Sequence, residues 1–405
     1  MAKILFAWEL GVGLGHVGRL RPLAAESMAR GHEVLMQLSE WVLSAELLAD
    51  LPCLRLAAPR WLIQVHGLPN PPVSLAEILL GHGYLQPRYL QAQVQGWLGA
   101  IALFKPDVLV ADYAPTAVLA ARIAGVPCAS LGIGINLPPD VAPMPPIRSW
   151  EAPSAERLLR AEQQVHGVVD AVLKMHGRPP LERLSQLFHG DSPLLCTWPE
   201  FDPYPRNTES TPYWGPSMDS AATGTAVDWP AGEGPRVFAY LRLEHPDLLR
   251  WLDALLARDC RVICYCAEVA GGRPAPRKDP RLVFTAGPAH LPSLLNRCDA
   301  LMCHAGESTT AQALLAGVPL ILLPLQAEQF LRAQALQSHG LAINAAAHPR
   351  DMPLEPLLAQ LLDSRAMQDA ARAFAHRHAG FSPAQQTRDL VDRFEALAQP
   401  PAQAG

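Results

Sequence analysis

The chain has 405 residues, 49% of them apolar and 18% charged, with a formal net charge of −5. That length is too great for one ordinary hydrophobic core and suits two domains of about 200 residues each. The charges form no long single-sign run, which argues against a polyanion-binding surface and a nucleic-acid partner.

The eight cysteines include no CxxC pair and read as reduced core residues of a cytoplasmic protein. Cys264 and Cys266 would share a strand face, but no nearby His or Cys pair completes a tetrahedral set, so no metal site is expected. Glu9 interrupts the apolar N-terminus, which speaks against a secretory signal. The apolar run 313–327 is broken by Gly317, Pro319 and Pro324 and is shorter than the roughly 20 residues of a membrane-spanning helix. Only four of the basic residues are lysines, a bias that suits a high-GC bacterial gene.

In chain order, apolar runs predict strands at 3–9, 32–38, 53–57, 107–112 and 126–131, with helices between them, notably 18–30 and 115–124. Residues 60–90, which include Trp61, His66, His82 and Tyr84, show weak periodicity and read as a long substrate-shaping loop. Prolines are dense over 136–153, a polar helical stretch runs to about 187, and prolines return over 199–235. The alternation then restarts, with strands at 236–241, 261–266, 281–286, 299–304, 318–324 and 341–345, and helical spacing from 352 to about 398. The pattern is α/β, with two doubly wound parallel sheets. It divides into an N-terminal domain over 1–214, a linker over 215–235, a second domain over 236–380, and a C-terminal helix and tail over 381–405. That tail is able to fold back over either domain and is assigned here to the N-terminal one.

After the first strand comes the loop Leu10-Gly11-Val12-Gly13-Leu14-Gly15-His16-Val17-Gly18. Gly13, Gly15 and Gly18 match G-x-G-x-x-G, and Glu40 lies 22 residues beyond the last, so an NAD-dependent dehydrogenase is one reading. His16 supports another. With strand order 3-2-1-4-5, strands one and four are neighbours, and strand four ends in Asp112. An imidazole and a carboxylate would meet at the ligand-binding end of the sheet, where a neutral imidazole can take a proton from a hydroxyl and a carboxylate can fix its tautomer. The plainer alternatives are that His16 and Asp112 each cap a helix, and Glu9 is a rival acid.

In the second half, Cys303-His304-Ala305-Gly306-Glu307-Ser308-Thr309-Thr310-Ala311-Gln312 puts a strand end, a glycine and hydroxyl residues ahead of a helix. Backbone N–H groups and the helix dipole make that an anion site, suited to a diphosphate.

Two strings, GxGHxxRLxPLA near the start and HAGxSTTxxALLAGVPLILLPLxxEQ, resemble the family 1 glycosyltransferases of GT-B fold, especially the bacterial ones that modify small molecules. Pro106–Asp112 and Tyr213–Pro216 also resemble strings of that family. The resemblance implies a GT-B architecture, two Rossmann-like domains facing each other across a cleft. It implies a metal-independent, inverting transfer from a UDP- or dTDP-linked sugar, needing no cofactor, to a small-molecule acceptor. His16 matches the general base and Asp112 the acid that orients it, on the Gly13–Gly15 loop. His304, Gly306, Ser308 and Thr309 match the donor diphosphate site, Gln312 the ribose position, and Glu328 and Gln329 the positions that hold the donor sugar's hydroxyls.

The chain departs from the family at several points. Phe284–Pro288 offers no counterpart to the aromatic residue that stacks on the donor base. Leu241-Arg242-Leu243-Glu244-His245 replaces a Ser- and Gly-rich loop, and Gly18-Arg19 stands where Asn-Pro is common. The Trp and Leu content of 60–90 suits an apolar or aromatic acceptor. The rival classes are a nucleotide-sugar epimerase and a catalytically silent nucleotide-sugar-binding protein.

Overall fold

The computed structural model describes residues 1–13, 15–207, 211–218 and 224–399. The chain forms two compact units, Met1–Met218 with Ser382–Gly405, and Asp219–Phe381. Each is built on a six-stranded, all-parallel sheet.

In the first unit the strands are β1 (Lys3–Trp8), β2 (Glu33–Leu38), β3 (Leu54–Ala57), β4 (Val108–Asp112), β5 (Cys128–Gly132) and β6 (Ser192–Leu195). Their spatial order is β3-β2-β1-β4-β5-β6. The central strands are buried along nearly their whole length, as expected where helices cover both faces of a parallel sheet. The sequence reading lacked β6. Pro193 sits inside it, paired with Ser130 of β5, and proline is tolerated there because β6 is an edge strand with one side unpaired.

The second unit repeats the plan with β7 (Arg236–Tyr240), β8 (Arg261–Tyr265), β9 (Leu282–Phe284), β10 (Ala300–Cys303), β11 (Leu320–Leu322) and β12 (Ala342–Asn344), in the order β12-β11-β10-β7-β8-β9. β11 is shorter than the apolar run that announced it. Pro319 and Pro324 bracket it and donate no backbone hydrogen bond. All eight cysteines are free thiols, six of them buried. Among the described residues no helix is long and apolar enough to cross a membrane.

In both units a topological switch falls between the first and fourth strands of the sheet. β1 pairs with β4 so that Trp8 lies beside Asp112, and β7 pairs with β10 so that Tyr240 lies beside Cys303. The carboxyl ends of these two pairs are where an open α/β sheet offers a crevice to a ligand.

The last helix, Pro383–Ala398, starts from Ser382, whose hydroxyl accepts the Gln385 N–H at 3.3 Å. Its apolar stripe, Leu390, Val391 and Phe394, is at most 1% exposed and joins the core of the first unit. The Phe394 ring meets Phe6 of β1 edge-on at 6.0 Å. On the rim, His32 bonds Glu395 at 2.7 Å, and Gln386 donates to the Trp214 carbonyl at 2.9 Å. The helix therefore closes the core of a unit whose first segment ends at Met218, 164 residues before Ser382. Phe394→Ala should destabilise the first unit by about 3–5 kcal/mol, read as a lower urea midpoint of its unfolding transition. An unchanged midpoint would mean the helix is dispensable to that core.

Candidate active site

At the switch point of the first unit, His16 enters on the second residue of the helix Gly15–Ala29. Its Nδ1 lies 3.1 Å from Asp112 Oδ1. Asp112 is wholly buried, and Arg19 Nη1 donates to both of its oxygens, at 2.9 and 3.0 Å. His16 and Arg19 are three apart on one helix and so share a face. Burial pushes the Asp112 carboxyl up, but the charges of Arg19 and His16 and their hydrogen bonds outweigh it. The group ends below the usual carboxylate range.

The imidazole is set by its rings as well as its hydrogen bond. Trp8 stacks on it at 5.0 Å and 20°, and Tyr113 lies at 6.3 Å and 22°. Tyr113 holds φ +49, and its carbonyl accepts the Leu10 N–H at 3.0 Å, which ties the turn after β4 to the turn after β1. The His16 Nε2 lies over Gly11. A methyl group there would stand 2.5 Å from Nε2, and φ +83 disfavours any other residue as well. Gly11 is thus the glycine that His16 requires. Gly13 also has positive φ, whereas a Cβ at Gly15 or Gly18 would meet nothing within 4 Å. The third glycine of a dinucleotide fingerprint serves close helix–strand packing; Gly18 serves none.

Glu9 is drawn elsewhere. Its Oε2 accepts the Thr116 N–H at 2.8 Å, and Oε1 accepts the Thr116 hydroxyl, so Glu9 caps the helix Pro115–Ala124. The Thr116 Oγ1 is in turn 2.7 Å from the Tyr84 hydroxyl. Asp112 instead turns to His16 and Arg19. The 60–90 segment is more regular than its sequence suggests, containing the helix Leu75–Gly81. Tyr84 is fully buried, Trp61 packs on Tyr89, and His82 bonds the Ile78 carbonyl.

In the second unit, His304 follows β10 and is 9% exposed. Its Nδ1 donates to the Leu323 carbonyl at 2.7 Å, and its Nε2 accepts the Arg242 N–H at 2.8 Å. Both ring nitrogens thus brace the loops after β7 and β11, and burial holds the imidazole below its ordinary pKa. His245 stacks on it at 5.4 Å and is pushed down to about 4 by burial and by His304. Glu268 accepts the Leu243 N–H at 3.3 Å and the Cys266 thiol at 3.1 Å and pairs with Arg242 at 3.4 Å. These contacts fix the loop that replaces the expected Ser- and Gly-rich one, with Arg242 largely exposed beside His304.

Ala305 at φ +60 turns the chain into the helix Glu307–Leu315, whose N-cap, Gly306, has no side chain to cap with. Ser308 and Thr309 are half-exposed on the first turn, while Thr310 is buried and bonds the Gly306 carbonyl at 2.8 Å. Gln312 donates to Ser308 Oγ at 3.1 Å. Gln329 accepts the Leu325 N–H at 2.8 Å as part of the cap of the helix Ala327–Ser338. Glu328 pairs at 3.1 Å with Arg332, whose other nitrogen donates to the Ala305 carbonyl at 2.6 Å. Arg332, 3% exposed, links the His304 turn to the Glu328 helix. The sequence reading gave no site role to Gly11, Arg19, Glu268 or Arg332. The readable signals were Arg19 at i+3 from His16 and Arg332 at i+4 from Glu328.

Residues 250–395 match the family model described as erythromycin biosynthesis protein CIII-like, C-terminal domain. The PGL/p-HBAD biosynthesis glycosyltransferase of Mycobacterium tuberculosis (strain ATCC 25177 / H37Ra) is 24% identical over 294 residues, 69% of this chain and 68% of that one. The calicheamicin glycosyltransferase CalG4 superposes with a TM-score of 0.72 at 20% identity over 99% of each chain. The spinosyn rhamnosyltransferase SpnG complexed with thymidine diphosphate gives a TM-score of 0.66 at 17% identity, over 96% of this chain and all of that one. The fold is GT-B, and the protein is a glycosyltransferase of that class.

Burial raises the Glu9 carboxyl to about 7 against the opposing Thr116 hydrogen bonds. Its folded pKa thus lies above the unfolded value. The stability it contributes is complete below about pH 4.5 and is lost as the pH rises through about 7. Glu9→Gln keeps the shape and removes the ionisation. Between about pH 5 and pH 8 the unchanged protein should therefore lose stability relative to this variant, on the order of 3 kcal/mol, in urea titrations at both pH values. Parallel pH dependence in the two proteins would show that Glu9 is already ionised in the fold.

Proposed function

We propose that the protein moves a sugar from a nucleoside diphosphate to a hydroxyl of a small, apolar or aromatic acceptor, by a single displacement that inverts the anomeric carbon and needs no metal. The observation that carries this is the buried Asp112 bonded to His16 Nδ1. The bond leaves Nε2 as the lone-pair nitrogen, at the ligand-binding end of the sheet. As the acceptor oxygen bonds to the anomeric carbon, its proton passes to Nε2, and the bond from that carbon to the diphosphate oxygen breaks. Asp112 stabilises the imidazolium that forms.

The departing diphosphate gains negative charge. In this reading the N-terminus of the helix Glu307–Leu315 is assigned to it, with Ser308 and Thr309 as hydroxyl donors. His304 acts in this scheme by holding the turn, since its Nε2 already accepts the Arg242 N–H. The exposed Arg242 guanidinium supplies a cation at the same end of the sheet. Gln312 is assigned to the ribose, and Glu328 and Gln329 to the sugar hydroxyls. Thymidine diphosphate in the SpnG structure makes dTDP-sugars the first donors to test, ahead of UDP-sugars.

The acceptor side is apolar. β1, β2 and β3 are successive neighbours, and the segments that follow their carboxyl ends expose Val12, then Trp41 and Val42 at the start of the helix Trp41–Leu47, then Leu62 and Ile63. Large apolar residues gathered on one rim mark a surface that binds something apolar.

The test is incubation with dTDP- and UDP-sugars and a panel of phenolic and polyketide hydroxyl acceptors. Transfer is expected in the unchanged protein. His16→Ala should reduce it at least about 100-fold, with the thermal shift produced by dTDP or UDP preserved. Nucleotide-sugar binding without turnover of any acceptor would favour the silent binding protein, and equal loss of transfer and nucleotide binding in His16→Ala would make that histidine structural.

A further inference from the structure

We propose that Arg19 is a positioning residue for the His16 base: it locks the Asp112 carboxylate and keeps His16 in its proton-accepting form to lower pH than Asp112 alone would allow. This rests on the assignment of His16 as the base.

Arg19 is 8% exposed and Asp112 not at all, so the ion pair is desolvated and strong in its local effect. One guanidinium nitrogen bridges both carboxylate oxygens, and Oδ1 is shared with His16 Nδ1. The carboxylate cannot rotate without breaking the bridge, which holds the acceptor of the His16 Nδ1 proton in place. The electrostatic consequence runs the other way. A bare aspartate beside an imidazole favours the imidazolium, whereas an aspartate already neutralised by a guanidinium favours it far less. The pair therefore orients the base without making it hold its proton.

The other groups near the ring do not do this. Trp8 carries no charge, Tyr113 presents a ring at 6.3 Å, and Glu9 is turned to Thr116. The resemblance leads one to expect proline at position 19, which could not form this bridge.

The measurement is an NMR titration of the His16 Cε1–H resonance, assigned by its loss in His16→Ala, in the unchanged protein, Arg19→Met and Arg19→Lys. It needs no substrate. With Arg19→Met the midpoint should rise by about one pH unit or more, because the buried Asp112 carboxylate beside the ring is then no longer neutralised. Arg19→Lys restores the charge without the same bridging geometry. Its midpoint should stay close to that of the unchanged protein, and its transfer rate should fall several-fold. Equal midpoints in all three proteins, or a shift in Arg19→Lys as large as in Arg19→Met, would overturn the inference.

Leaving Asp112 unpaired in a buried site is costly. If Arg19→Met fails to fold, Arg19→Met combined with Asp112→Asn takes its place, compared with Asp112→Asn alone. The midpoint should again be higher in the protein lacking Arg19. An unchanged midpoint in that pair would overturn the inference just as firmly. Retention of transfer by His16→Ala would instead sink the base assignment, so the two failures are distinguishable.

Discussion

The first unit turns on one buried carboxylate. Asp112 has no exposed surface, and a charge in that position persists only when it is paired and hydrogen-bonded. Arg19 and His16 meet that demand from a single helix, and the pairing of β1 with β4 brings the carboxylate to them. The same strand pair supplies Trp8, which stacks on the imidazole, and the turn after β4 supplies Tyr113. Gly11 lets the loop pass the far edge of the ring. The parts that orient His16 thus come from neighbouring elements at one end of the sheet, and the core beneath them is completed by a helix from the far end of the chain.

The second unit uses the same topology for a different purpose. Its histidine after the fourth strand is fixed by two backbone hydrogen bonds and held neutral by burial, so it braces a turn. The polar surface of that turn lies next to it, where Gly306 opens a helix N-terminus and Ser308 and Thr309 stand half-exposed. Arg332 binds the carbonyl of the strained Ala305 and pairs with Glu328, joining the two ends of the string that runs from His304 to Gln329. A change at Arg332 would disturb both at once, without its side chain needing to meet a ligand.

The strand alternation makes the doubly wound class legible, and the adjacency of strands one and four is enough to bring His16 and Asp112 together from the sequence alone. What escaped was of three kinds. β6 was hidden by Pro193, because a strand tolerant of proline looks like a loop until its edge position is known. Arg19 was hidden by its type, since an arginine on a helix ordinarily reads as solvated and only the buried carboxylate opposite reveals otherwise. The bracing role of His304 was hidden because its partners, the Arg242 N–H and the Leu323 carbonyl, are backbone groups, which no residue pattern announces. Glu9 illustrates the converse: two acids stood near one strand end, and only the helix N-terminus at Thr116 separates the cap from the partner of the base.

The claim on which the account depends is that Asp112 holds the proton of His16 on Nδ1 and so leaves Nε2 as the basic nitrogen. A long-range nitrogen–proton correlation spectrum of the imidazole side chains, recorded near neutral pH with His16 assigned by substitution, reads this directly. The account predicts a protonated, pyrrole-type Nδ1 and a pyridine-type Nε2 for His16. The opposite tautomer, with the proton on Nε2, would leave no lone pair for an acceptor hydroxyl and would contradict it.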